Sequence, residues 1–440
     1  MDNLTSLKSG QLVGSTHFKL AGGLIDFPAE LFDLADSLEV LDLGNNHLSA
    51  LPDEFERFQR LKILFLTNND FREIPPVLAR CPQLRMVSFK SNQLTTIAEH
   101  TLPTSVRWLI LTDNQIQQLP DSMGKLTQLQ KLMLAGNRLR TLPASMAACQ
   151  NLELIRLSAN QLQALPVWLG DLPRLAWLAI AGNPCCPSSV LSYPPLPSID
   201  WTALSIGQPL GEGASGVISE GVWQTGQTQE AVAIKLFKGT MTSDGSPGDE
   251  MAACLAAGYH DNLVPLRGRV VNAPAGQTGL VFSLIPPGYK NLGQPPSFDT
   301  CTRDTYSSDS RLRLPEILQV LRGIAAAAEH LHSRGILHGD LYAHNILVNA
   351  SGHSLLGDFG AASFYQPGPT TIAPLLEGIE VRAFGYLIQD LLTHCLADPI
   401  APNSVLEALH HLQQDCLAPR WCDRPRFRQL CQRLTTLDLS

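Results

Sequence analysis

The chain has 440 residues, 44% of them hydrophobic and 16% charged, and carries a net charge of −8 at pH 7. That length exceeds what a single core usually serves, so two or more well-packed domains are expected and a disordered chain is excluded. No apolar run reaches membrane-spanning length and the acidic balance would repel a phosphate backbone, so neither a membrane span nor nucleic-acid binding is expected, and the partners expected are proteins.

The first eight residues lack the apolar core and small-residue cleavage site of a secretory signal, which points to a cytoplasmic address. The ten cysteines include no paired CxxC motif and read as free thiols, the adjacent Cys185 and Cys186 included. Asparagines then recur at 46, 69, 92, 114, 137, 160 and 183, at intervals of 22 or 23 residues, which is the signature of a solenoid. Each sits in the pattern LxxLxLxxNxL, as in residues 38–48 and 129–139. Prolines at 28, 52, 75, 120, 143 and 166 mark the turn that follows, and only the repeat around Ile97 and Ala98 lacks one. This half resembles leucine-rich repeats, with one short parallel strand per repeat, leucines inward, and a degenerate cap with Gly23 at the asparagine position. An asparagine amide has both donor and acceptor, so its expected role is to satisfy backbone groups where each strand turns.

Function in such a solenoid is expected on the concave face. Its strand positions include Trp108, Ile110, Met133 and Trp177, an apolar set with Lys131 and Arg156 nearby. A partner-binding surface for a protein substrate or regulator is predicted there, against the alternative that the two tryptophans pack on neighbouring side chains. The repeat domain is placed at 1–183, a Pro/Ser-rich connector at 184–200 and a second domain at 201–440.

Six stations follow in order: Gly211-Glu212-Gly213-Ala214-Ser215-Gly216-Val217, Val232-Ala233-Ile234-Lys235, Glu250, His338-Gly339-Asp340, Asn345 and Asp358-Phe359-Gly360. A glycine loop admits phosphates to backbone N–H groups, and a lysine beyond it needs a carboxylate to fix it. Glu250 is assigned that part, with Asp249 as runner-up. A carboxylate five residues before an asparagine suits proton acceptance beside a magnesium ligand. Joint occurrence in this order resembles a protein kinase catalytic domain from Trp201 to about Leu437. The fold class expected is an α/β leucine-rich repeat solenoid followed by a bilobal α+β protein kinase-like domain.

The resemblance implies ATP and Mg²⁺ as cofactors and transfer of the γ-phosphoryl group to a protein hydroxyl, with Ser/Thr favoured and Tyr possible. It implies that Asp340 is the catalytic base, that Asn345 and Asp358 ligate the metal, and that Lys235 holds the α- and β-phosphates. Gly211, Gly213, Gly216, Val217 and Ala233 line the nucleotide site on the same grounds, with Phe282 behind the adenine and the backbone of Ser283 and Leu284 at its edge. His338 is expected to brace the loop, and the part of His344 stays open.

The departures are as informative. Gly339 replaces the arginine that docks a phosphorylated loop, so activity without loop phosphorylation is expected. Tyr342 stands where a Ser/Thr kinase has lysine, and His344 where a tyrosine kinase has arginine. The stretch after Asp358 is short, which reduces the peptide-docking platform, and Ala373-Pro374 is followed by Leu375 rather than glutamate, which leaves Glu377 as the nearest carboxylate there for Arg424. Residues 286–310 read as an inserted surface loop. The shortening and the His-Gly-Asp sequence are shared with small-molecule phosphotransferases of the aminoglycoside and choline kinase type, so these, and a pseudokinase scaffold, are the alternatives.

Overall fold

The computed structural model describes Thr5, Leu7, Ser9 and residues 11–187, 197–213, 215–239, 241–368, 372–396 and 403–438. Most of the proline-rich connector, Ala214 of the glycine loop, Thr370 and Thr371 lie outside them. The chain divides into two compact units, one of residues Met1–Leu175 with Asn183–Cys185 and one of Ala176–Gly182 with Cys186–Ser440. The segment Ala176–Gly182, expected in the repeat domain, therefore falls with the second unit.

In the first unit, seven three-residue strands from His17–Lys19 to Leu154–Arg156 pair in parallel, each with the next. Leu41, Leu64, Val87, Leu109, Leu132 and Ile155 occupy equivalent central positions and are fully buried, because each repeat can hide its apolar face only against its neighbours. The helical parts of the repeats are 3₁₀ turns, and the six prolines stand as their N-caps, where a fixed φ and a missing N–H cost nothing. Around Ile97, with no proline, no such turn forms among the described residues.

The asparagines are all buried. Asn137 is typical: its amide nitrogen donates to the carbonyls of Leu111 (2.9 Å) and Leu134 (3.0 Å), and its oxygen accepts from the N–H of Ile116 (3.0 Å). The residue before each asparagine has a positive φ, from 53° at Ser91 and Ala159 to 72° at Gly182, a requirement the leucine pattern alone did not reveal.

The second unit is built on a six-stranded sheet in the order Leu204–Glu212, Gly216–Thr225, Thr228–Phe237, Gly279–Ser283, Leu266–Val271 and Ser198–Asp200. Ile199, Leu204, Val232, Ile234, Val270 and Val281 form its buried core. Ser198–Asp200 pairs in parallel with Leu266–Val271, so these residues belong to the sheet rather than to the expected connector. Five α-helices follow the third strand, at Pro247–Ala257, Leu314–Ser333, Ile372–Thr393, Asn403–Cys416 and Phe427–Thr435, among the described residues. No helix among the described residues is long and apolar enough to cross a membrane.

Residues 286–310 are not merely a surface loop. Lys290–Asn291 pairs with Ile346–Val348, and Cys301, Thr302 and Asp304 are buried.

Candidate active site

The first two sheet strands hold the glycine loop, with Glu212 opposite Val217 and the Gly213 N–H donating to the Gly216 carbonyl (2.9 Å). Its glycines differ in purpose. A Cβ on Gly216 would stand 2.3 Å from the Leu236 carbonyl oxygen, so the sheet itself requires glycine there. At Gly211 and Gly213 a Cβ would meet nothing within 4 Å, so packing does not explain their small size and the space suits a phosphate ligand.

Ala233 and Lys235 lie two residues apart on one strand and so share a face, with Ala233 opposite Phe282 on the neighbouring strand. Phe282, Ser283, Leu284 and Val217 are half-buried. The Ser283 N–H donates to the Pro265 carbonyl (2.9 Å), which removes it as a donor to a ligand.

Lys235 forms a buried ion pair with Glu250, their side chains 9% and 3% exposed. Asp249, the alternative partner, is engaged with Ser246, the N-cap of the Pro247–Ala257 helix, whose hydroxyl donates to its carboxylate (2.7 Å) and accepts from its N–H (3.1 Å). Burial alone would lower the pKa of the Lys235 ammonium, but Glu250 and then Asp358 outweigh it and leave the pKa raised, so the group stays charged. Burial raises the Glu250 carboxyl, with Lys235 pulling the other way. A Cβ on Gly360 would stand 3.2 Å from Asp358 Oδ1 and 3.8 Å from Glu250 Oε2, so this glycine lies between the two carboxylates.

Asp358 is exposed and adopts a left-handed φ of 55°, uncommon outside glycine, where its Oδ1 accepts from the Gly360 N–H (3.2 Å). Asn345 donates its amide nitrogen to the Asp340 carboxylate (2.8 Å) and carbonyl (2.9 Å). The amide oxygen is then the atom left to ligate a cation. No group of three or more His, Cys, Asp or Glu among the described residues could hold a metal by itself. A magnesium ion on Asn345 and Asp358 would therefore take its remaining oxygens from phosphate and water, which is how that ion is usually held. The residues present fit a magnesium nucleotide.

His338 is fully buried and joins the two acidic stations. Its Nδ1 accepts from the Asp340 N–H (3.3 Å), so Nε2–H donates to the Gly357 carbonyl (3.0 Å). His344 donates from Nδ1 (2.7 Å) and from its backbone (3.0 Å) to Asp304, a residue of the 286–310 insertion. Burial would lower the His344 pKa, but Asp304 and then Asp340 raise it above its ordinary value.

Glu380, which sequence reasoning missed, completes the frame. The buried Glu380 carboxylate accepts from the Gly339 N–H (2.6 Å) and from His332 Nε2 (2.7 Å). It lies inside the helix Ile372–Thr393, where nothing in the local sequence marks a carboxylate with a distant backbone partner. Arg424 does not pair with Glu377. It donates to the carbonyls of Gly378 (2.6 Å), Ala418 (2.9 Å) and Pro419 (3.0 Å), and Glu377 lies instead beside Arg426 and the Tyr365 hydroxyl.

The repeat-face residues divide between the two units, Trp108, Ile110 and Met133 in the first and Trp177 in the second. Trp108 and Ile110 are half-buried, with the Lys131 ammonium 4.2 Å from the centroid of a Trp108 ring. Met133 and Trp177, expected to be exposed, are 5% and 2% exposed. Trp177 is packed within the second unit, its ring stacked on that of Tyr342 with centroids 4.1 Å apart.

Comparison with known proteins follows the same division. The family described as protein tyrosine and serine/threonine kinase matches residues 204–371, and leucine-rich repeat families match 37–58 and, in overlapping stretches, 82–184. Over 276 residues the chain is 26% identical to the tyrosine-protein kinase transforming protein RYK of Avian retrovirus RPL30, covering 53% of this chain and 61% of that protein. It is 28% identical over 159 residues to an activated Cdc42 kinase-like protein of Drosophila melanogaster, covering 36% of this chain and 11% of that one. It is 29% identical over 222 residues to the L-type lectin-domain containing receptor kinase I.8 of Arabidopsis thaliana, covering 45% and 30%. The chain thus spans less than two thirds of the length of each of these relatives.

Proposed function

We propose that this chain, in which leucine-rich repeats are followed by a protein kinase domain, is an ATP-dependent protein kinase that acts in the cytoplasm on a Ser or Thr hydroxyl, with Tyr as the lesser possibility. The buried Lys235–Glu250 pair beside Asp358 carries the reading. A merely structural ion pair gains little from such burial, because desolvation consumes most of the attraction. An ammonium kept charged where a nucleotide's phosphates would lie has a use that offsets that cost.

In this reading the backbone of Gly211 and Gly213 approaches the phosphates, and Lys235 holds the α- and β-phosphates while Glu250 fixes its position. Asp340 accepts the proton of the acceptor hydroxyl as that oxygen attacks phosphorus, and Asn345, bonded to the Asp340 carboxylate, aligns it. Asn345 and Asp358 would hold magnesium, which when bound with ATP neutralises charge on the phosphate oxygens. Val217, Ala233 and Phe282 bound the adenine, with Gly216 setting the strand approach and Ser283 and Leu284 at the rim. The free state of all ten cysteines agrees with a reducing compartment. The half-exposed Trp108 and Ile110, with Lys131, offer the repeat face on which a protein substrate or regulator would be recruited.

One observation favours a second reading. Only residues 361–371 separate Gly360 from the Ile372–Thr393 helix, which leaves little chain to dock a peptide, as in a phosphotransferase for small alcohols. The test is incubation of the purified chain with γ-labelled ATP, Mg²⁺ and either generic protein acceptors or sugars and amino alcohols. Label on protein hydroxyls supports the kinase reading, and label confined to small molecules supports the second.

A further inference from the structure

The segment Ala176–Gly182 ends the repeats in sequence yet belongs to the second unit. The Trp177 ring stacks on Tyr342 at 4.1 Å and 8° and on Tyr386 at 5.5 Å and 23°. Its indole N–H donates to the Leu341 carbonyl (3.2 Å), and three residues on the Ile180 N–H donates to the Ser363 hydroxyl (2.9 Å). Leu341 and Tyr342 directly follow Asp340, and Ser363 lies three residues after Gly360. One short segment therefore holds both the loop that carries Asp340 and the strand that follows Asp358.

Gly339 makes this possible. With φ at 74°, a Cβ there would stand 2.7 Å from the Leu178 carbonyl oxygen and 2.6 Å from that of Ala361. An arginine at this position would displace the segment. Its absence, read from the sequence as loss of a phosphate grip, is also the condition for a close approach by Leu178. Trp177 covers the ring of Tyr342, which is buried, and lies against that of Tyr386.

We infer that Trp177 is a positioning residue for phosphoryl transfer, holding Leu341 and Tyr342, and through them Asp340, from outside the motifs read in the sequence. The inference rests on the transferase reading above. A base displaced by about 1 Å can lose on the order of a hundredfold in rate, so the effect belongs in kcat rather than in nucleotide binding, which uses other strands.

The experiment compares the full chain with Trp177→Ala and Trp177→Phe, measuring kcat and KM for ATP with a protein acceptor, thermal melting, and amide hydrogen exchange of residues 338–345. Trp177→Ala is expected to lower kcat about tenfold or more while KM for ATP stays within about twofold, and to speed exchange in the catalytic loop. Trp177→Phe keeps a stacked ring but loses the indole donor to the Leu341 carbonyl, so it should fold as the wild type does yet lose about threefold in kcat, with faster exchange at residues 338–345. An unchanged kcat in Trp177→Ala overturns the inference alone. So does a Trp177→Ala chain that fails to fold beside a Trp177→Phe chain that matches the wild type in both kcat and exchange, because the residue is then packing. A wild-type chain that transfers phosphate to nothing overturns the inference together with the reading beneath it.

Discussion

Glu380 ties the second unit to pH through a buried carboxylate held by His332 and Gly339. Burial would raise its pKa, but the hydrogen bond and charge of His332, with the Gly339 N–H, hold it below the ordinary carboxylate range. A carboxylate with a depressed folded-state pKa stabilises the fold above its unfolded value, and that contribution is lost as pH falls through the folded pKa. Urea unfolding from pH 7 down to pH 3 should therefore show a steeper acid loss in the wild type than in Glu380→Gln, the two curves converging at the acid end. Parallel curves would show that the group does not couple to folding. That Lys235 meets Glu250 near Asp358, and Asn345 meets Asp340, was expected from residue type and spacing. Glu380 and Asp304 were not, because their partners Gly339 and His344 lie 41 and 40 residues away and only the folded chain pairs them.

At the scale of elements, each leucine-rich repeat closes through its asparagine, so one substitution tests the solenoid. Asn137→Ala would strand the carbonyls of Leu111 and Leu134 and the N–H of Ile116, and should cost about 2–4 kcal/mol by urea unfolding. A cost below about 0.5 kcal/mol would mean that other groups or water replace the amide. The repeats were legible because every turn meets the same steric demand, and the proline positions predicted where the 3₁₀ turns start. The segment after Gly360 poses a different question. Ser363 is fully buried, and the Tyr365 hydroxyl donates to Glu377 (3.1 Å), so neither is presented for modification. With Gly339 unable to grip a phosphate, phosphatase treatment should leave the transfer rate within about twofold, as no charge-assisted contact would be lost. A large loss restored by preincubation with ATP would show that loop phosphorylation matters, and Thr370 and Thr371 would then be the residues to map.

For the whole molecule, the two-part organisation could be read from the end of the asparagine ladder, but the boundary could not. The register that makes Trp177 look like one more concave-face residue is local, whereas its burial against Tyr342 and Tyr386 is set by a contact more than 160 residues away. The insertion at 286–310 escaped for the same reason, its polar and proline-rich composition hiding an Asp304 that bonds His344, between Asp340 and Asn345. The central claim is that Asp340 is the base of an ATP-dependent transfer to protein, and single-turnover transfer with nucleotide affinity measured on the same samples tests it most directly. Wild-type chain should transfer the γ-phosphoryl group, and Asp340→Asn should bind ATP within about threefold of wild type while losing on the order of a hundredfold or more in rate. Equal rates in the two chains, or a wild type that binds ATP and transfers nothing to protein, would contradict it.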